Sequence, residues 1–120
     1  MSEYAPVFFP ADKVSSVASS AITAGQLIYT SGDNTVAPTT AATGAWLGVA
    51  ARDAAVGAGT TYYTEGIHEL AASGTVNAGD LVIPAAAGAV AAIGAGTNYS
   101  QVVGVALAAA ASSKVRVLFR

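Results

Sequence analysis

The chain has 120 residues and a net charge of −2, with 53% hydrophobic and only 10% charged residues. That length gives one domain, or two small halves sharing one core. Soluble monomers carry about 25% charged residues, so part of this surface is expected to lie buried against other chains. Lys13, Arg52, Lys114, Arg116 and Arg120 are scattered, which excludes the clustered basic track that nucleic acid requires. Cysteine is absent, so there is no disulfide, thiolate metal site or cysteine nucleophile. The mean hydropathy of +0.55 comes largely from alanine. The longest Ala-rich stretch, Pro84 to Ala95, falls short of the roughly 20 residues that span a bilayer, so no membrane segment is expected. Met1-Ser2-Glu3-Tyr4 has no basic segment before an apolar core, unlike a signal peptide.

Residues 1–20 stand apart from the rest. Tyr4-Ala5-Pro6-Val7-Phe8-Phe9-Pro10 packs two prolines and three aromatics into seven residues. Proline fixes its own φ and pushes the preceding residue to extended conformations. The segment therefore reads as an extended arm with Tyr4, Val7, Phe8 and Phe9 as apolar contacts, either reaching a neighbouring chain or packing as an edge strand on its own domain. The Ser- and Ala-rich run from Val14 to Ser20 reads as a loose strand.

From residue 21 the units are strand-sized. Gln26–Thr30 follows the turn Thr23-Ala24-Gly25, and Ser31-Gly32-Asp33-Asn34 is a tight turn of residues that tolerate unusual φ. Trp46–Ala51 is a strand in which Gly48 marks a bulge or a close backbone approach. Ala55–Gly59 is a turn. Thr61–Thr64, Ile67–Ala71, Asp80–Ile83, Gln101–Leu107 and Val115–Phe119 are strands. In the last, Val115, Val117 and Phe119 alternate with Arg116 and Leu118, the pattern of a half-buried strand. Ala85–Ala92 and Ala106–Ala111 favour helix by propensity. Neither shows an amphipathic stripe or the roughly 12 residues a free helix needs, so both read as loops and strand ends with room for a short helical turn. Alanine is about a quarter of the chain, so the core rests on few bulky side chains: Leu27, Ile28, Tyr29, Trp46, Leu47, Ile67, Leu70, Leu81, Val82, Ile83, Val102, Val103, Leu107, Leu118 and Phe119. Such a core is marginal for its size, and oligomerisation would supply the missing burial.

The chain repeats itself. Ala24-Gly25-Gln26-Leu27-Ile28-Tyr29 returns as Ala78-Gly79-Asp80-Leu81-Val82-Ile83, 54 positions later. Leu47-Gly48-Val49-Ala50 returns as Val103-Gly104-Val105-Ala106, 56 positions later. Gly57-Ala58-Gly59 and Gly94-Ala95-Gly96 read as corresponding turns, each before an aromatic-bearing segment. The expected fold is all-β: a compact barrel- or sandwich-like domain over 21–120, built from pseudo-repeats at about 21–72 and 73–120, with 1–20 as the arm.

Residues for chemistry are scarce. His68 is the one histidine, and a metal site needs at least three converging ligands, so His68 reads as a surface or interface residue. No Gly-x-Ser-x-Gly elbow is present. The glycine pairs lack the third glycine of a dinucleotide loop and the lysine of a P-loop. Asn98-Tyr99-Ser100 fits the glycosylation pattern, a cheap match. Glu65 and Glu69, at strand spacing, stand roughly 13 Å apart, beyond glycosidase separations. No catalytic residue, cofactor or metal is expected.

The ordered set Ala24–Tyr29, Leu47–Ala50 with Arg52-Asp53-Ala54, Ala78–Ile83, Val103–Ala106 and Val115–Phe119 resembles the capsid decoration, or cement, proteins of tailed bacteriophages, over about residues 21–120. Gln26 stands where that family usually has an acid after Ala-Gly, a departure confined to a turn. The resemblance implies a non-enzymatic β-rich virion protein, made in the host cytoplasm, that adds to the outside of the head. It also implies the major capsid protein as partner, a homotrimer, and an arm that binds the capsid through Tyr4, Val7, Phe8 and Phe9. The alternative is a carbohydrate- or receptor-binding β module of a head fibre or tail, with Trp46, Tyr29, Tyr62, Tyr63 and Tyr99 as stacking faces.

Overall fold

The computed structural model describes residues 13–119, which form ten strands and two single 3-10 turns. The first five strands are β1 (Lys13–Ala18), β2 (Leu27–Gly32), β3 (Thr35–Pro38), β4 (Trp46–Ala50) and β5 (Gly59–Tyr63). They close into a barrel in the order β1-β3-β2-β4-β5. β1 pairs parallel to β3 at Val17–Thr35 and Ala18–Val36, and antiparallel to β5 from Lys13–Tyr63 to Val17–Gly59. The run read as a loose strand from Val14 is thus a barrel stave. Closure removes the free edges that an open sheet would expose.

The second five are β6 (Ile67–Ala71), β7 (Leu81–Pro84), β8 (Val90–Ala92), β9 (Gly104–Ala106) and β10 (Lys114–Phe119), in the sheet order β6-β10-β9-β7-β8. Followed from β1 through β5, the barrel reads β1-β5-β4-β2-β3, the same path. Where the barrel closes through β1 and β3, the second sheet keeps a single parallel bridge, Ala72–Val90. Ser73 N–H donates to the Val90 carbonyl at 2.7 Å, as Ser19 N–H donates to the Val36 carbonyl at 2.9 Å. The second unit is a splayed version of the first barrel.

The repeat extends to single bonds. Gly25 N–H donates to the Ala50 carbonyl and Gly79 N–H to the Ala106 carbonyl. A β-carbon on Gly48 would lie 2.0 Å from the Tyr63 carbonyl oxygen, and one on Gly104 2.0 Å from that of Leu118. Both glycines let the last strand of their unit pass close by. The close approach expected at Gly48 is real, and a register shift opposite Leu47 adds the bulge.

Side-chain alternation along the strands divides the interior into two cores. Ala18, Ile22, Ile28, Val36, Ala50, Ala54 and Tyr62 fill the barrel. Their neighbours Leu27 and Val49 point out of it, into a larger cluster with Leu70, Val76, Val82, Val90, Val103, Val115, Val117 and Phe119. The outer face of the first unit, at Leu27 and Val49, therefore packs into the core of the second. Polar contacts fasten the same junction. The buried Thr39 hydroxyl donates to the Ala85 carbonyl at 2.8 Å, and Gly88 N–H donates to the Thr39 carbonyl at 3.0 Å.

Several expectations change. β3 is a strand that the sequence reading did not assign, β8 is a full strand in a run read as loops and strand ends, and Ala86–Gly88 is the short helical turn for which that run left room. The two glycine pairs do not correspond: Gly57–Gly59 leads from β4 into β5, whereas Gly94–Gly96 follows β8. The counterpart of the first turn is Ala111–Lys114, a bridge that turns through Ser112 and Ser113 at φ 51° and 59°. β6 pairs with β10 and so belongs to the second unit, on the far side of the division drawn at 72/73. Ile67, Leu107 and Leu118, counted among core candidates, are exposed.

Candidate interaction surface

A ring cluster marks the seam between the units. Phe119 from β10 meets Trp46 from β4 edge-on, with centroids 5.8 Å apart. His68 meets Phe119 edge-on at 5.2 Å and stacks on Tyr63 at 5.8 Å. Such geometries suit the ring quadrupoles. The ring Nε2 of His68 lies 2.9 Å from the Glu65 carbonyl oxygen. His68 is therefore a half-buried packing residue of the seam, while Ile67 and Glu69 face outward, as alternation required. Glu65 sits in the bend before β6, so its separation from Glu69 is not set by strand spacing.

An apolar row crosses the outer face of the second sheet. Ile67 pairs with Leu118, Leu118 with Val105, and Val105 with Leu81. Ile93 N–H donates to the Leu81 carbonyl, which continues the row beyond β8. Five apolar residues thus line up across β6, β10, β9 and β7 and the residue that follows β8. Ile67 is 58% exposed and Leu118 39%, and the other three are partly exposed. On one side of this row Glu69 stands opposite Arg116, whose carbonyl accepts from the exposed Leu107 N–H, and on its other side Ile83 stands opposite Ala91. The counterpart row in the first unit runs Leu27–Val49–Tyr63–Lys13. There Leu27 and Val49 are buried by the second unit. The same face is covered in one repeat and open in the other.

Tyr4, Val7, Phe8 and Phe9 lie outside the described residues. The aromatics of the alternative reading do not all share one platform, although Tyr29 lies opposite Trp46 across β2 and β4. Tyr62 is inside the barrel, Trp46 packs on Phe119, Tyr63 stacks on His68, and Tyr99 is exposed on the 3-10 turn Tyr99–Gln101. Among the described residues there is no ligand-sized pocket and no group of three His, Asp or Glu side chains placed to hold a metal. Sequence reasoning missed the open face because its residues are chemically identical to core residues. The available signal was the repeat itself, which gives two equivalent rows.

A duplicated β unit with one face left open is the form of a module that adds to something larger. Residues 41–120 match the family described as phage cement protein, and the chain belongs to that family. Membership makes it a structural protein of phage particles. Its fold is also similar to that of the head fibre gp8.5 N base of bacteriophage phi29, at a TM-score of 0.64 and 22% identity over 90% of this chain and 92% of that one. No curated protein matches the chain.

Proposed function

We propose that this protein binds the outer surface of a phage head and stabilises contacts between capsomers. The observation that carries the reading is the open apolar face of the second sheet, in a chain of a cement family with only 10% charged residues. Exposed contiguous apolar surface marks protein contacts. The partner is the major capsid protein, and the protein binds as a homotrimer, made in the host cytoplasm and added to the virion exterior. Tyr4, Val7, Phe8 and Phe9 supply further contacts to the shell. The role is non-enzymatic. The experiment is a head-stability assay: DNA-filled heads lacking the protein are heated with and without it. The reading predicts that added protein raises the temperature of DNA release, and an unchanged release temperature contradicts it.

A second reading has one observation in its favour, the fold likeness to a head fibre base. On that reading the module attaches to the head and carries a host-surface contact. The exposed Tyr99 and Tyr63 are then its stacking residues, and glycan arrays would capture it.

A further inference from the structure

We propose that the shell surface received by the open face carries a carboxylate beside its apolar strip, and that Arg116, supported by Lys114, binds this carboxylate and fixes the orientation in which the protein docks. The proposal rests on the capsid reading and names the chemistry of the partner.

The open face has a direction. Along β10, Val115, Val117 and Phe119 are buried, while Lys114, Arg116 and Leu118 are exposed on the outer side. Leu118 belongs to the apolar row, and Arg116 and then Lys114 follow on one flank. The opposite flank is uncharged, with Ile83 facing Ala91 across β7 and β8. Among the described residues the Lys and Arg side chains are Lys13, Arg52, Lys114 and Arg116. Two of these four therefore border one face, in a chain whose net charge is −2.

The repeat supplies a control. By register, Ile67–Leu118 corresponds to Lys13–Tyr63, so Glu69–Arg116 corresponds to Ser15–Thr61 and Lys114 to Gly59. The border is uncharged in the unit whose row is covered at Leu27 and Val49, and charged in the unit whose row is open. The charges go with the open row and not with the backbone path that both units share.

The sign of the border selects the partner. Glu69, opposite Arg116, is exposed and supplies one negative charge against two positive ones, and Lys114 stands opposite the uncharged Ala71. One positive charge is left in excess. A guanidinium has five donors and a carboxylate engages two of them, so Arg116 can serve Glu69 and a partner acid together. Alternate residues of a strand stand about 7 Å apart on one face. A shell residue packed on Leu118 thus has Arg116 as its neighbour, and the next has Lys114. Charge taken out of water without a partner is costly, so an apolar strip with no acid on this flank docks poorly. An acid on the shell meets Arg116 in one orientation and the uncharged Ile83 flank after half a turn. Complementarity of this kind contributes register and specificity more than affinity. An enclosed pair is also screened less than an exposed one, which is compatible with binding that changes little with salt.

The test uses the full-length protein and undecorated heads. Lys114→Met with Arg116→Met keeps apolar stems and removes both charges, at positions that are exposed, and thermal melts check that the domain stays folded. The proposal predicts an affinity lower by about thirtyfold or more. Arg52→Met, in the first unit, should bind like the unaltered protein. Arg116→Glu should bind more weakly still. A map of decorated heads should place a shell Asp or Glu against Arg116, and changing that acid to Lys should restore binding of Arg116→Glu. Charge-free variants that bind like the unaltered protein would overturn the proposal, as would a map with no acid within hydrogen-bond distance of Arg116 or Lys114. Either result leaves the capsid reading standing. Heads that bind no version of the protein, the unaltered one included, would remove both.

Discussion

Leu27 and Leu81 hold the same place in the two repeats, Leu27 opposite Val49 and Leu81 opposite Val105, yet Leu27 is fully buried and Leu81 remains partly exposed. The difference measures how the halves are joined. Leu27→Ala opens a cavity at the junction and should cost about 2–5 kcal/mol. Leu81→Ala removes a side chain that is only partly covered and should cost on the order of 1 kcal/mol. Urea midpoints of the two variants check this, and equal costs would mean that the second face is covered as well.

Gln26 and Asp80 form a second such pair. The Oε1 of Gln26 accepts from Thr23 N–H at 2.8 Å, and the Oδ2 of Asp80 accepts from Asn77 N–H at 2.9 Å. The departure from an acid at Gln26 keeps the turn, as expected, but it does more. Its Nε2 donates to the Ala87 carbonyl at 3.1 Å and so ties the first unit to the second. Gln26→Asp should retain the turn and lose that bond, lowering stability by about 1 kcal/mol. Thermal melts read the change, and Asp80→Asn, which keeps its acceptor, is the control.

Gly48→Ala and Gly104→Ala should be equally damaging, because each puts a β-carbon 2.0 Å from a backbone carbonyl oxygen that cannot step aside. Each is expected to cost about 3 kcal/mol or more. Gly57→Ala meets nothing within 4 Å and pays only for its φ of +84°, about 1–2 kcal/mol. Soluble yield and denaturation midpoints should separate the first two from the third.

Two hydroxyls test the polar accounting. Among the described residues the buried Thr60 hydroxyl has no hydrogen-bond partner, so Thr60→Val should be neutral or stabilising by up to about 1 kcal/mol. Thr39→Val should destabilise by about 1–3 kcal/mol, because it orphans the Ala85 carbonyl at the junction. At the last hairpin, replacing Ser112-Ser113 by Asn-Gly relieves two positive φ values and should stabilise by about 1 kcal/mol, since Asn-Gly suits turns of that hand.

The sequence revealed the duplication because backbone geometry demanded it: the Ala-Gly turns and the strand glycines at 48 and 104 recur wherever the path recurs. β8 was hidden because Val90–Ala92 lies in an alanine run whose local preference is helical, and pairing with β7 overrides that preference. β3 was hidden because Thr35–Pro38 is four residues long and ends on a proline. Proline's missing N–H argues against a strand interior, but costs little at the strand's last position. Faces were legible and their coverings were not. Alternation put Ile67 opposite His68 and Val117 opposite Leu118, but whether an apolar face meets a core or solvent depends on how the units pack. No pattern within one strand carries that information.

The central claim is attachment to the head through apolar surface, and titration onto undecorated heads at low and high salt tests it most directly. The account predicts saturation at a fixed number of copies per capsomer, with an affinity that changes little with salt because few charged pairs exist to be screened. Loss of residues 1–12, which lie outside every described strand, should weaken binding while leaving the domain folded. Binding that fails to saturate, or that collapses at high salt, would contradict the account.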